Sequence, residues 1–321
     1  MIEIENLTKR YGHHVAVDSI NLTVNEGEIL GFLGPNGAGK STTMNILTGY
    51  ISATEGSVRI DGIDILENPE KAKKKIGYLP ELPPLYMDMT VEDYLLFVSK
   101  IKKVQKSEQV RNLEKIMRAT KIFDVRHRVI KNLSKGYKQR VGLAQAIIGD
   151  PEVLILDEPT VGLDPKQIID IRNLIKDLGK KHTIILSSHI LSEVSAVCDR
   201  IVIINKGKVV ASGTPKELSN TLSFSNKFIL RVKGSRTQVV STLEQIPGAD
   251  KVEHLGVREQ NTVDISIQAK DNNDIREAIF NALSKANMPI LMMRSDDLSL
   301  EDIFLQVTDA EKGVKQDAGS I

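Results

Sequence analysis

The residues whose spacing speaks most directly of chemistry are Gly34-Pro35-Asn36-Gly37-Ala38-Gly39-Lys40-Ser41-Thr42. Two glycines flank four residues and lead into Lys-Ser, the pattern of a loop that cradles phosphate. Glycines let the backbone turn until several N–H groups point at phosphate oxygens. A helix opening at the end of the loop adds the positive end of its dipole. The Lys40 ammonium can then reach the distal phosphates, and the Ser41 hydroxyl can ligate Mg2+. A second pattern is Asp157-Glu158, directly after the apolar run Val153-Leu-Ile-Leu156. It sets two carboxylates at the C-terminal end of a strand, where ligands of open α/β sheets sit. Asp157 can hold Mg2+ through water, and Glu158 can polarise an attacking water.

These groups need a scaffold, and the sequence supplies one. Ile29-Leu30-Gly31-Phe32-Leu33 reads as the strand before the loop, and residues 42–47 can open the helix after it. Val153-Leu-Ile-Leu156, Thr183-Ile-Ile-Leu186 and Ile201-Val-Ile-Ile204 are short, continuously apolar runs that suit strands buried on both faces of a parallel sheet. Residues 166–178 between them read as a helix with Ile168, Ile169, Ile171, Leu174, Ile175 and Leu178 on its apolar face. This alternation, taken over the first 215 residues, implies an α/β fold. The Lys-rich stretch from about residue 90 to 150 has no strand pattern and reads as a helical insertion.

After Pro215 the character changes. Strand and helix patterns follow in the order β-α-β-β-α-β, which resembles a ferredoxin-like α+β unit. The expected domains are residues 1–220 with a helical subdomain at 90–150, a small accessory domain at 225–309, and a flexible tail at 310–321. The strictly alternating Val263-Asp-Ile-Ser-Ile267 suggests a strand with one open polar face available for pairing.

Composition excludes several classes. With 43 Lys and Arg against 42 Asp and Glu, the chain has no global basic field for nucleic acid. A single cysteine, Cys198, excludes a disulfide framework within the chain and fits a reducing compartment. No apolar run approaches the ~18–20 residues that span a bilayer. The acidic, alternating Met1-Ile-Glu-Ile-Glu5 is not a signal peptide.

Between the two phosphate-site patterns lies Leu133-Ser134-Lys135-Gly136-Tyr137-Lys138-Gln139-Arg140. Tyr11 in Lys-Arg-Tyr-Gly, Glu81 in Gly77-Tyr-Leu-Pro-Glu81, Gly162-Leu-Asp164-Pro and His189 in Leu186-Ser-Ser-His189 follow the same order. Together these motifs, over roughly residues 1–215, resemble those of ATP-binding-cassette ATPases of the single-cassette exporter type. The resemblance implies a P-loop ATPase core that uses ATP and Mg2+. It puts Tyr11 against adenine, and it gives Ser41, Glu81 and Asp157 to the metal. It makes Glu158 the residue that polarises water and His189 the switch histidine at the γ-phosphate. In this family two cassettes pack head to tail, so Ser134 and the Gly136 N–H would meet the nucleotide of a second cassette, identical or different. The implied partners are that cassette and separate membrane-spanning permease subunits, with the chain peripheral on the cytoplasmic face and no nucleic acid expected.

Three positions depart from the family pattern: Lys135 replaces glycine, Tyr137 replaces glutamine, and Glu81 replaces glutamine. The phosphate-facing Ser134 and Gly136 are retained. Lys135 is read as solvated, or as a charge toward the partner's phosphate. His13 and His14 are read as solvated, and Cys198 as a small buried residue. Leu85, Tyr86 and Met87 are candidates for docking the membrane subunit, or for packing on their own domain. Leu298-Ser-Leu-Glu-Asp-Ile-Phe304 resembles the end of exporter ATPases and favours export. The alternative is a soluble cassette switch acting on ribosomes or DNA. Such translation factors carry two cassettes, and DNA types insert a long coiled coil where this chain has only about 90 residues. For the accessory domain, dimer support, a regulatory ligand site and a membrane-subunit contact all remain open.

Overall fold

A computed structural model describes residues 1–222, 227–270 and 274–295. The segment Leu298-Ser-Leu-Glu-Asp-Ile-Phe304 and the tail at 310–321 lie outside the described residues. The chain divides into two compact units, one built from Met1–Pro215 and the other beginning at Lys216.

The first unit opens with β1 (Ile2–Tyr11), β2 (His14–Val24) and β3 (Ile29–Leu33), followed by α1 (Lys40–Leu47). Next come β4 (Glu55–Ile60), β5 (Ile63–Asp64), α2 (Pro69–Lys74) and β6 (Ile76–Leu79). The helices α3 (Val91–Ile101), α4 (Lys106–Ala119) and α5 (Lys135–Ile147) precede β7 (Val153–Asp157). The unit is completed by α6 (Pro165–Gly179), β8 (Thr183–Ser188), α7 (Leu191–Ser195), β9 (Arg200–Asn205) and β10 (Lys208–Gly213).

Six strands form the sheet that carries the site, in the order β10-β9-β3-β8-β7-β6. All its pairings are parallel except that of β10 with β9. Every residue of β3, β7 and β8 is buried, as strands covered on both faces require. Each Ile, Leu or Phe fully removed from water there contributes about 1.5–3 kcal/mol. The α/β alternation does not extend over the whole unit. Residues 2–24 and 55–64 instead supply a separate sheet, β2-β1-β4-β5, antiparallel throughout. Its apolar side chains join Phe32 and Met44 in one core cluster, so it packs on the main sheet rather than extending it.

Helix α6 buries Ile171, Leu174, Ile175 and Leu178 as its period demands, but Ile169 points outward and is 56% exposed. A helical stripe about 100° wide cannot take in two adjacent isoleucines equally. The region between β6 and β7 is helical, with one isolated bridge from Thr90 to Val129. It has its own core of Val91, Tyr94, Leu95, Leu113, Met117 and their neighbours. Thr90 caps α3 by accepting the Asp93 N–H at 3.2 Å.

The second unit holds β11 (Lys227–Lys233), α9 (Arg236–Glu244), β12 (Ala249–Gly256), β13 (Thr262–Ala269), α10 (Arg276–Lys285) and β14 (Ile290–Ser295). The helix α8 (Pro215–Leu222) leads into it. Its sheet order is β12-β13-β11-β14, with every pair antiparallel. The expected open polar face of Val263-Asp-Ile-Ser-Ile267 is not found: Asp264 and Ser266 are 5% and 2% exposed. β13 is a central strand, and Arg231 from β11 lays its guanidinium across Asp264 in two hydrogen bonds of 2.7 and 3.0 Å. Long side chains from flanking strands cover the short polar ones between them.

Candidate functional site

Strand β3 ends at Leu33, and the loop that follows turns into α1 at Lys40. Gly39 stands at the N-cap with φ 107°, a left-handed conformation that favours glycine. A Cβ there would lie 2.5 Å from the Ala16 carbonyl oxygen, so the loop cannot pass with a larger residue. No side chain caps α1 and no acidic residue occupies its first turn. Its N-terminal N–H groups are therefore left for an anion.

The loop borders a cavity of about 370 Å³, lined by Asn36, Gly37, Gly39, Lys40, Ser41 and Thr42. Tyr11, Glu81, Glu158 and His189 close its other sides. Gly34, Pro35 and Ala38 are absent from the lining and act through the backbone instead. The Gly34 and Pro35 carbonyls accept from the Lys40 ammonium at 2.8 and 3.3 Å. The Ala38 carbonyl accepts the Gly207 N–H at 2.9 Å.

The carboxylates come from the end of β7. Glu158 has φ 47°, a left-handed backbone uncommon outside glycine. This turn sends neighbouring carboxylates to different partners. Asp157 meets the Ser41 hydroxyl at 3.4 Å and accepts from the Ser187 hydroxyl at 2.5 Å. Glu158 places Oε1 3.5 Å from the Lys40 ammonium and Oε2 2.9 Å from Nδ1 of His189. Both acids are buried, at 3% and 6% exposure. Burial pushes the Asp157 carboxyl above the usual carboxylate range, and the Ser187 and Ser41 hydroxyls pull against that rise.

At the rim, Tyr11 is exposed and carries the Lys9 ammonium 5.3 Å from its ring centroid. That ammonium also donates to the Ser52 carbonyl at 2.7 Å. Glu81 is exposed at the mouth. His14, read from sequence as a solvated residue, lines the cavity too, because the β1–β2 hairpin pairs it directly with Tyr11. Ser187 was legible only as part of the Leu-Ser-Ser-His run. It accepts the Glu158 N–H at 3.0 Å while donating to Asp157, so one buried hydroxyl fixes both acids.

Ser134 and Gly136 do not join this cavity. Within one chain they line a second cleft of about 340 Å³ with Tyr137, Arg140, Asp164, Gln167 and others. Ser134 is the N-cap of α5 and accepts the Tyr137 N–H at 3.4 Å. Asp164 likewise caps α6 by accepting from the Gln167 N–H at 2.9 Å. A Cβ at Gly136 would lie 2.6 Å from the Gln167 carboxamide, so glycine lets the starts of α5 and α6 meet. Lys135 is exposed, but its amine folds over Gly162 in the loop before α6. Tyr137 donates its hydroxyl to Asp124 at 3.2 Å and packs on the helical core. Of the docking candidates, Tyr86 and Met87 are 56% and 45% exposed, whereas Leu85 is half-buried against the helical core.

The ABC transporter family model matches residues 17–161. YxlF of Bacillus subtilis (strain 168), an ABC transporter ATP-binding protein, is 32% identical over 97% of this chain and 100% of its own length. The chain belongs to the ATP-binding proteins of ABC transporters. Linearmycin resistance ATP-binding protein LnrL of the same organism is 30% identical over 96% of this chain and 98% of its own. The dimeric cassette MJ0796, solved in a post-hydrolysis state with ADP and Pi, superposes with a TM-score of 0.61 at 26% identity. That match covers 67% of this chain and 98% of MJ0796. This ABC subunit is thus an ATPase that binds ATP. Subunits of the family dimerise and work with membrane permeases. Among the described residues, no helix is long and apolar enough to cross a membrane.

Proposed function

We propose that the chain drives export through separate membrane-spanning permease subunits by ATP-dependent pairing of two cassettes. The observation that carries this reading is the convergence of Lys40, Glu158 and His189 on one cavity, with Ser41 and Asp157 beside them. The resistance role in the name of LnrL supports outward transport.

In this reading ATP lies with its base on Tyr11 and its phosphates on residues 34–42. The incoming phosphates draw the Lys40 ammonium off the Gly34 and Pro35 carbonyls and away from Glu158. Glu158 keeps Oε2 on His189 and turns the freed Oε1 to the attacking water. Nδ1 of His189 donates to the carboxylate, which leaves Nε2 for the γ-phosphate side. Ser41 and Asp157 are hard oxygen donors, the set that Mg2+ takes alongside phosphate oxygens and water, with Glu81 at the mouth as a further donor. When bound there, Mg2+ supplies charge neutralisation at the phosphates.

The separate cleft at Ser134 and Gly136 is the half-site for a second cassette's nucleotide. A helix start and a hydroxyl suit a phosphate brought from outside the chain, which would compete with the 3.4 Å Ser134 cap on the Tyr137 N–H. The chain sits as a peripheral subunit on the cytoplasmic face, held by its membrane partner.

Affinity purification of the chain from detergent-solubilised native membranes, with the bound chains identified, tests the transport reading. Recovery of a chain with several spans of about 20 apolar residues is the expected result. Recovery of ribosomal or DNA-associated chains alone overturns it.

A further inference from the structure

At the ends of β7 and β8 and just past them, side chains link the two segments. Asp157 and Ser187 are register partners, and the Ser187 hydroxyl bonds the Asp157 carboxylate. Next comes Glu158 with His189 at 2.9 Å. A third rung follows: the Thr160 hydroxyl donates to Oε2 of Glu193. Thr160 lies two residues past Glu158, and Glu193 four residues past His189, so the same two segments are tied twice.

The two outer rungs differ in setting. His189 opens to the cavity with its side chain 39% exposed. Thr160 and Glu193 are 6% and 5% exposed. The Glu193 carboxylate is compensated by Arg172 of α6, whose Nη2 lies 4.0 Å from Oε1. The Arg172 Nε is itself buried without a partner. Glu193 rides on α7, which packs tightly under β3: a Cβ at Gly31 would collide with Val194 and lie 2.9 Å from the Cys198 sulfur. Both rungs hang from the ends of β7 and β8, but the outer one is buried and tied through α7 to β3, while His189 opens to the cavity.

We infer that Thr160 and Glu193 are a positioning pair that sets the separation of Glu158 and His189 for hydrolysis. Neither touches the cavity, and neither belongs to the phosphate site. A buried charge-assisted hydrogen bond holds its geometry better than one open to water. A small misplacement of a reacting group costs large factors in rate. The inference rests on the reading of Glu158 and His189 given above.

The test uses the full chain with MgATP, measuring kcat and, separately, nucleotide Kd. Thr160→Val and Glu193→Ala are each expected to lower kcat about tenfold while Kd stays within about twofold. Thr160→Ser, which keeps the hydroxyl, restores kcat to within about twofold. The Thr160→Val/Glu193→Ala double variant falls no further than Glu193→Ala alone, because that single variant already removes the Thr160 contact along with the Arg172 one. Wild-type kcat in Thr160→Val, or a Thr160→Ser as impaired as Thr160→Val, overturns the inference. Failure of the underlying reading shows separately, as a Glu158→Gln variant that turns over like wild type.

Discussion

Nδ1 of His189 lies 2.9 Å from Oε2 of Glu158, across 31 residues of sequence, while the other oxygen of that carboxylate faces Lys40 at 3.5 Å. Glu158 therefore bridges the Lys40 ammonium and the His189 ring. Glu158→Gln removes the negative charge but keeps the shape. It is expected to lower ATP turnover by roughly a hundredfold or more with little change in nucleotide Kd, and to trap an ATP-bound dimer. Phosphate release and size-exclusion chromatography with ATP read both outcomes, and wild-type turnover would falsify the role given to Glu158.

Lys40 is 6% exposed, and its ammonium meets both the loop carbonyls and Glu158. Lys40→Ala is expected to weaken nucleotide binding itself, by about a hundredfold, in contrast to Glu158→Gln. Equilibrium binding of a fluorescent ATP analogue separates the two variants.

Ser187 is fully buried and makes two hydrogen bonds, one to each acid's neighbourhood. Ser187→Ala leaves the Glu158 N–H without a partner and the Asp157 oxygen with only the Ser41 hydroxyl at 3.4 Å. The expected loss of stability is about 1–3 kcal/mol, measured by urea unfolding. A change within about 0.3 kcal/mol would show that both groups find other partners.

Tyr86 is 56% exposed, with its ring edge-on to Phe97 at 5.3 Å and tilted against Tyr94 at 6.1 Å. Tyr86→Asp is expected to cut recovery of membrane-spanning partners about tenfold, while nucleotide Kd stays unchanged. Undiminished recovery would move the docking surface elsewhere.

In the second unit, the Arg231 hydrogen bonds hold the Asp264 carboxyl below the usual carboxylate range, against the opposing effect of burial. Asp264→Asn is expected to cost that unit about 2–3 kcal/mol near neutral pH. A carboxyl whose folded pKa is depressed stabilises the fold above its unfolded value, near 4, and loses that contribution as pH falls through the folded one. The gap between wild type and Asp264→Asn should therefore narrow as pH drops below about 4. A gap that is constant with pH would mean that packing, not the ion pair, accounts for it.

Much of the candidate site was legible because it is local. The phosphate loop needs its glycines, lysine and serine within nine consecutive residues, and the flanking strand and helix follow from their own apolar patterns. Asp157 and Glu158 announce themselves by following an apolar run whose strand must end somewhere. Tertiary contact decided the rest. Ser187 and Glu193 matter only because β8 lies beside β7, a neighbour relation that periodicity does not encode. His14 reaches the cavity through a hairpin register, and the polar positions of β13 are covered by an arginine from another strand. The linear order of residues names the candidate groups for binding phosphate and polarising water. Packing fixes which oxygen of Glu158 meets which partner, and which residues share the cleft at Ser134 and Gly136, because both depend on how distant strands and helix starts meet.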